Sequence, residues 1–137
     1  MSAFQWLAAA LLVIGVGVCG YLAWRPSPFL TEVGFIPHEF ARWADAQYNL
    51  RTSIPFFGLG IFGALLSGGR WRSAGYVFLG LFLFSGVLEL GQLFISSRHP
   101  NWEDVFFGIA GAALGGLLCF PVCRWYYLKR RTQMEDS

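Results

Sequence analysis

A chain of 137 residues that is 55% hydrophobic, 18% aromatic and 13% charged has the composition of an integral membrane protein, not of a soluble globular or disordered one. Its formal net charge of +2 is too small for neutralising nucleic acid, and no basic run with interleaved aromatics precedes the C-terminal tail, so no nucleic-acid partner is expected. Cys19, Cys119 and Cys123 lie in or beside apolar stretches with no C-x-x-C spacing and no accompanying His, so no metal, disulfide or cofactor is expected.

Taken in order, residues 4–24 form an apolar run long enough to cross a hydrocarbon core of ~30 Å as a helix. A signal peptide is the competing reading. The leading MSAFQ carries no Lys or Arg and the run exceeds a usual signal core, which favours an uncleaved span. A lipid-modified Cys19 is disfavoured by Val18 before it. Arg25, Pro26 and Pro28 end the segment, because proline removes a donor and biases its predecessor away from helix.

The first connection is the longest polar one. Within it Ile36, Phe40, Trp43, Ala44 and Tyr48 recur at helical period, while His38, Arg42, Asp45 and Asn49 take the opposite face, the pattern of a short amphipathic helix in the membrane interface. Two roles stay open for it: framing a polar site, or only covering the bundle. Residues 49–67 make a second crossing, with Gly58, Gly60, Gly63, Ala64 and Ser67 as small packing residues and Pro55 near its start. Residues 67–72, SGGRWR, read as a turn.

The third crossing, residues 74–95, carries the most informative polar groups. Glu89 and Gln92 are three apart and share one helix face, which Ser85 and Ser96 extend by a turn in each direction. If the helix runs to residue 95, Glu89 sits roughly 9 Å inside the apolar zone at ~1.5 Å per residue. There an ionised side chain costs on the order of 2.5–3.5 kcal/mol unless it is paired, neutralised or wetted.

A polar hinge containing Arg98 leads to the fourth crossing, residues 105–122, with Asp104 at its positive dipole end. Gly108, Gly111 and Gly115 form a smooth face for helix packing, the last two as a GxxxG pair. A basic tail with Arg124, Lys129, Arg130 and Arg131 around Trp125, Tyr126 and Tyr127 closes the chain. The expected fold is therefore one all-α domain spanning residues 1–137, with four transmembrane helices and a short interfacial helix in the first loop.

Four crossings put both termini and the 67–72 turn on one side. That side holds Arg70, Arg72, Arg124, Lys129, Arg130 and Arg131. The other holds Arg25, Arg42, Arg51 and Arg98, diluted by Glu32, Glu39, Asp45, Glu103 and Asp104. The basic excess places both termini in the cytoplasm of a bacterial inner membrane and turns the hinge outward.

The pattern Glu89-x-x-Gln92-x-Phe94, then Arg98, Asp104 and Gly111, resembles the VanZ-like family of small bacterial membrane proteins across residues 74–118. One departure is Gly108, where that family usually has an Asn one turn after the Asp. The resemblance implies a link to resistance against the glycopeptide teicoplanin. It supplies no biochemical activity.

Chemically, Glu89 in low-dielectric surroundings has its charged form disfavoured and is equipped for proton exchange, and Gln92 beside it can orient a hydroxyl or water. These two are the candidate catalytic residues. Arg98 presents a fork suited to phosphate or carboxylate, and Asp104, His38, Arg42 and Arg51 complete a candidate binding set. For Asp104 the favoured reading combines a pair with Arg98 and a cap on the fourth helix.

Three functions follow as expectations. One is a binding or processing site for a membrane lipid, such as a lipid phosphate or glycolipid. Another is an accessory subunit that packs on a membrane-protein partner through its glycine faces. The third is lowered access of a lipopeptide antibiotic to its target. Against all three stands a closed structural network of the same polar residues. No Ser/His/Asp set, phosphate loop or metal cluster is present in the sequence, so whether a reaction is catalysed stays open.

Overall fold

The computed structural model describes residues 3–27, 29–97 and 101–135, with side chains described throughout these except at 48, 49, 130, 131 and 133–135. The elements are α1 (Ala3–Trp24), a 3-10 turn (Leu30–Glu32), α2 (His38–Ala46), α3 (Tyr48–Ser67), α4 (Trp71–Gln92) and α5 (Trp102–Glu135). No strand occurs among the described residues. Four of these helices, α1, α3, α4 and α5, are long and apolar enough to cross a membrane. Side chains such as Val13, Ile14, Leu79, Phe82, Leu117 and Leu118 point outward. An apolar exterior is what lipid contact requires.

α3 is the hub. It packs on α1, α4 and α5 and touches α2, whereas α1 and α5 do not meet among the described residues. The α3–α5 contact is the closest because both helices present bare backbone there. A Cβ on Gly111 would meet the Ser53 carbonyl, one on Gly115 the Phe57 carbonyl, and one on Gly60 the Ala112 carbonyl. In each case a glycine Cα–H fills the place instead and faces the oxygen, a contact that recurs at helix interfaces. The core beside this seam is Phe56, Leu59, Leu81, Leu88 and Ala112, joined by Cys19 from α1.

Helix ends differ from the sequence reading in ways that have physical causes. Gly68 and Gly69 adopt φ of 60° and 73°, a left-handed pair that reverses the chain within the turn. α4 therefore starts at Trp71, whose ring packs 4.3 Å from that of Phe120, instead of at residue 74. It ends at Gln92, after which Leu93, Phe94 and Ile95 donate to Leu90, Gly91 and Gln92 in tightened i→i+3 bonds, so the apolar pattern outlasts the α-helix. α5 continues through Pro121 to Glu135. At ~1.5 Å per residue its 34 residues span roughly 50 Å, well beyond a ~30 Å core. Its last turns carry Trp125 under the Lys129 ammonium, 5.3 Å from the ring centre.

Candidate functional site

Six polar residues from three helices, Arg51 and Thr52 of α3, Ser85, Glu89 and Gln92 of α4, and Asp104 of α5, meet at the end of the bundle where α4 gives way to α5. They line a cavity of about 180 Å³. α1 contributes Cys19, Leu22 and Ala23 to its wall, the first loop Leu30 and Ile36, and α2 Phe40 and Ala44. A polar stripe is thus enclosed by apolar side chains. Phe40, Ile54 and Pro55 line the cavity while remaining exposed, which puts its outward side on α2 and α3.

The stripe is deeply enclosed: Ser85 is 3%, Glu89 6%, Gln92 7% and Asp104 8% exposed. Because α4 stops at Gln92, Glu89 lies about 4.5 Å from the helix end, half the depth expected from the sequence. Its Oε2 accepts the Asn101 backbone N–H at 2.9 Å. Asn101 in turn caps α5, its Oδ1 accepting the Glu103 N–H at 3.1 Å. Asp104 is therefore not the cap but sits in the first turn, where the dipole favours it. Its Oδ1 accepts the Thr52 hydroxyl at 3.3 Å. One residue on, the Ser53 hydroxyl donates to the Phe107 carbonyl at 3.1 Å, so adjacent hydroxyls of α3 tie down α5.

Ser85 and Gln92 differ from these. Among the described residues neither side chain has a hydrogen-bond partner, yet no side-chain N or O is both sealed and unpaired. The Ser85 hydroxyl and the Gln92 amide therefore open onto the cavity that they line. Gly108 contributes to this openness. A Cβ there would come 3.1 Å from Ser85 Oγ and 3.5 Å from the Phe56 ring, so a longer side chain at this position would compete for the same space.

The remaining candidates fall in different places. Arg51 lines the cavity and its Nη1 lies 3.6 Å from Asp45 Oδ1. His38 and Arg42 are on the exposed face of α2 and do not line it, Arg42 reaching Glu39 at 3.2 Å instead. Arg98 lies outside the described residues. Ser96 is exposed beyond the end of α4. The inward face of α2 is made by Ala41 and Ala44, while Phe40 and Trp43 are half exposed with ring centres 5.8 Å apart. Thr52, Ser53 and Asn101 were not singled out by the sequence reading. The signals for them are a polar Arg51-Thr52-Ser53 start to an apolar run, and an Asn just ahead of paired acids.

Asp45 acts at a distance from the cavity. Its two carboxylate oxygens accept the Leu30 and Thr31 N–H groups at 2.9 and 3.2 Å, pinning the 3-10 turn that lays Leu30 over the cavity. Asp45→Ala is expected to cost about 1.5–3 kcal/mol locally, since hydrogen bonds to a charged group are lost. Amide exchange at Leu30 and Thr31 should then rise by roughly ten- to a hundredfold, with a much smaller rise in Arg51→Ala, where the carboxylate still holds both amides. Equal protection in wild type and Asp45→Ala would rule the clasp out.

Fold and site together define a multi-pass membrane protein whose four apolar helices hold a polar cavity at one end of the bundle. A family model described as VanZ/LLP1 matches residues 8–124, and the chain belongs to that family. No curated protein and no solved structure matches it.

Proposed function

We propose that the cavity receives part of a cell-envelope lipid or lipid-linked glycan at the extracytoplasmic face of the bacterial inner membrane. The observation that carries this reading is the pair of enclosed hydrogen-bonding groups, on Ser85 and Gln92, that face an apolar-walled cavity instead of protein partners. A dry apolar core has no use for them, since an unpaired polar group in low dielectric is costly. An amphiphile supplies both the polar partner and the apolar body. Glu89 and Gln92 are then the groups placed to exchange a proton with a bound head group or to orient a hydroxyl on it.

Charge supports the orientation. Arg70, Arg72, Arg124 and Lys129 gather at the end of the bundle opposite the cavity, so the positive-inside rule sends the cavity outward and both termini into the cytoplasm. An accessory subunit docking through glycine faces has less support, because Gly60, Gly111 and Gly115 are spent on the α3–α5 seam. The resemblance-borne link to teicoplanin follows as a consequence: an envelope lipid held here would alter access of the drug to its target.

Native mass spectrometry of the protein released from its own membrane tests the reading. Wild type is expected to retain a lipid that Glu89→Gln and Arg98→Ala lose at unchanged melting temperature. Equal occupancy in all three forms, or none in any, would count against the cavity as a binding site. Unchanged teicoplanin sensitivity in a deletion strain would remove only the resistance link.

A further inference from the structure

Independently of the cavity, we propose that the opposite end of the bundle holds a second site, where Arg70, Arg72 and Arg124 clamp the phosphodiester of an anionic glycerophospholipid whose acyl chain lies along α5. The juxtaposition behind this is a cluster of three guanidiniums, drawn from two separate segments, above an exposed apolar stripe.

The turn before α4 is docked on α5. Gly69 takes φ of 73°, and a Cβ there would come 2.7 Å from the Arg124 Cα, so the backbone that carries Arg70 and Arg72 rests against the helix that carries Arg124. Trp71 fastens the contact. Its ring centre lies 4.3 Å from that of Phe120 and 5.9 Å from the Arg124 guanidinium carbon. Topology needs only basic residues somewhere near this end of the spans. It does not ask them to converge, and crowding like charges is unfavourable unless an anion offsets it.

The protein's own acids do not supply that anion. Among the described residues none of the three arginines meets a carboxylate. Counted along the whole sequence, this end holds Arg70, Arg72, Arg124, Lys129, Arg130 and Arg131 against Glu135 and Asp136, so six cations against two acids leave four over. Glu135 ends α5 eleven residues beyond Arg124, about 16 Å along the axis.

Depth and apolar surroundings narrow the occupant to a lipid. Arg124 follows Asp104 by twenty residues, about 30 Å of helix or one hydrocarbon core, which sets the cluster at the level of lipid phosphates. Leu117, Pro121 and Arg124 share one face of α5 at spacings of four and three, and all are exposed. An acyl chain running along Leu117 and Pro121 brings its own phosphate up to Arg124. Trp71 and Trp125, 65% and 63% exposed, stand at the same level as an interfacial belt. A guanidinium meets phosphate oxygens two at a time, whereas a choline or ethanolamine head brings a further cation into the cluster.

The test uses the full-length protein in mild detergent, titrated by native mass spectrometry with phosphatidylglycerol, phosphatidylcholine of matched chains, and inorganic phosphate. Phosphatidylglycerol is expected to bind about tenfold tighter than phosphatidylcholine. Arg124→Gln and Arg72→Gln should each weaken it about fivefold, the scale of one basic residue at an anionic membrane surface. Arg42→Gln on α2 and Ser85→Ala in the cavity should leave it unchanged. Should Arg124→Gln fail to fold, Arg72→Gln carries the same expectation.

Equal affinity for the two lipids, or binding of neither, would overturn the proposal. Inorganic phosphate binding as tightly as phosphatidylglycerol would keep the anion chemistry and overturn the lipid source. Binding that the arginine variants leave intact, or that Arg42→Gln or Ser85→Ala weakens as much, would overturn the location. None of these outcomes bears on the cavity, whose reading stands or falls on Glu89→Gln and Arg98→Ala.

Discussion

Gly111→Leu and Gly115→Leu are each expected to destabilise the protein by about 3 kcal/mol or more, enough to prevent recovery of a monodisperse species in mild detergent. The reason lies in what occupies the space. At both positions a Cβ would run into a backbone carbonyl of α3, at Ser53 and Phe57, and backbone cannot swing aside as a side chain does. The two helices must separate, and separation also stretches the Thr52–Asp104 and Ser53–Phe107 hydrogen bonds that hold the cavity end of α5.

Even Gly111→Ala should cost about 1–3 kcal/mol by overpacking, despite a gain of about 1 kcal/mol in helix propensity. Gly80→Ala is the control, because nothing lies within 4 Å of a Cβ there. It should be neutral or slightly stabilising. Thermal unfolding followed by far-UV dichroism checks the set, and a Gly111→Ala midpoint equal to that of Gly80→Ala would refute the close seam.

How legible this arrangement is from sequence depends on whether local or tertiary physics decides it. Four long apolar runs identify the crossings because bilayer thickness sets a minimum length independent of any partner. Glu89 and Gln92 stand out for a similar reason: helix period puts them on one face, and polar groups in an apolar run need company. What the glycines pack against is tertiary. The α4–α5 hairpin suggests the chain neighbour, yet Gly111 and Gly115 meet α3.

The Thr52–Asp104 bond joins positions 52 residues apart, and no local pattern announces it. Asp45 shows the same limit. Its place on the polar face of α2 is readable, whereas its grip on the Leu30 and Thr31 amides depends on how the first loop folds back. The continuation of α5 beyond residue 122 was missed because Pro121 falls at the end of the apolar run and the tail after it is polar, so apolar periodicity falls silent while the helix continues.

Glu89 is expected to separate the structural from the chemical role of the site, because two substitutions remove different properties. Glu89→Ala deletes the acceptor of the Asn101 amide. That amide belongs to the residue capping α5, so the junction between α4 and α5 loses its register. The cost should be about 2–3 kcal/mol, the range for a lost charge-assisted bond and an amide left without its acceptor. Proteolytic nicking in the hinge after α4 should appear at protease levels that leave wild type intact.

Glu89→Gln keeps one oxygen to accept the Asn101 amide, while it removes the charge and the titratable proton and turns the second acceptor into an NH2 donor. It should fold with a melting temperature within a few degrees of wild type and with the hinge still protected. If lipid retention or biological function collapses in this variant, the carboxylate acts on the ligand. If function instead falls only in Glu89→Ala, in proportion to stability, then Glu89 is a clasp between helices and the ligand chemistry belongs to Ser85 and Gln92 alone.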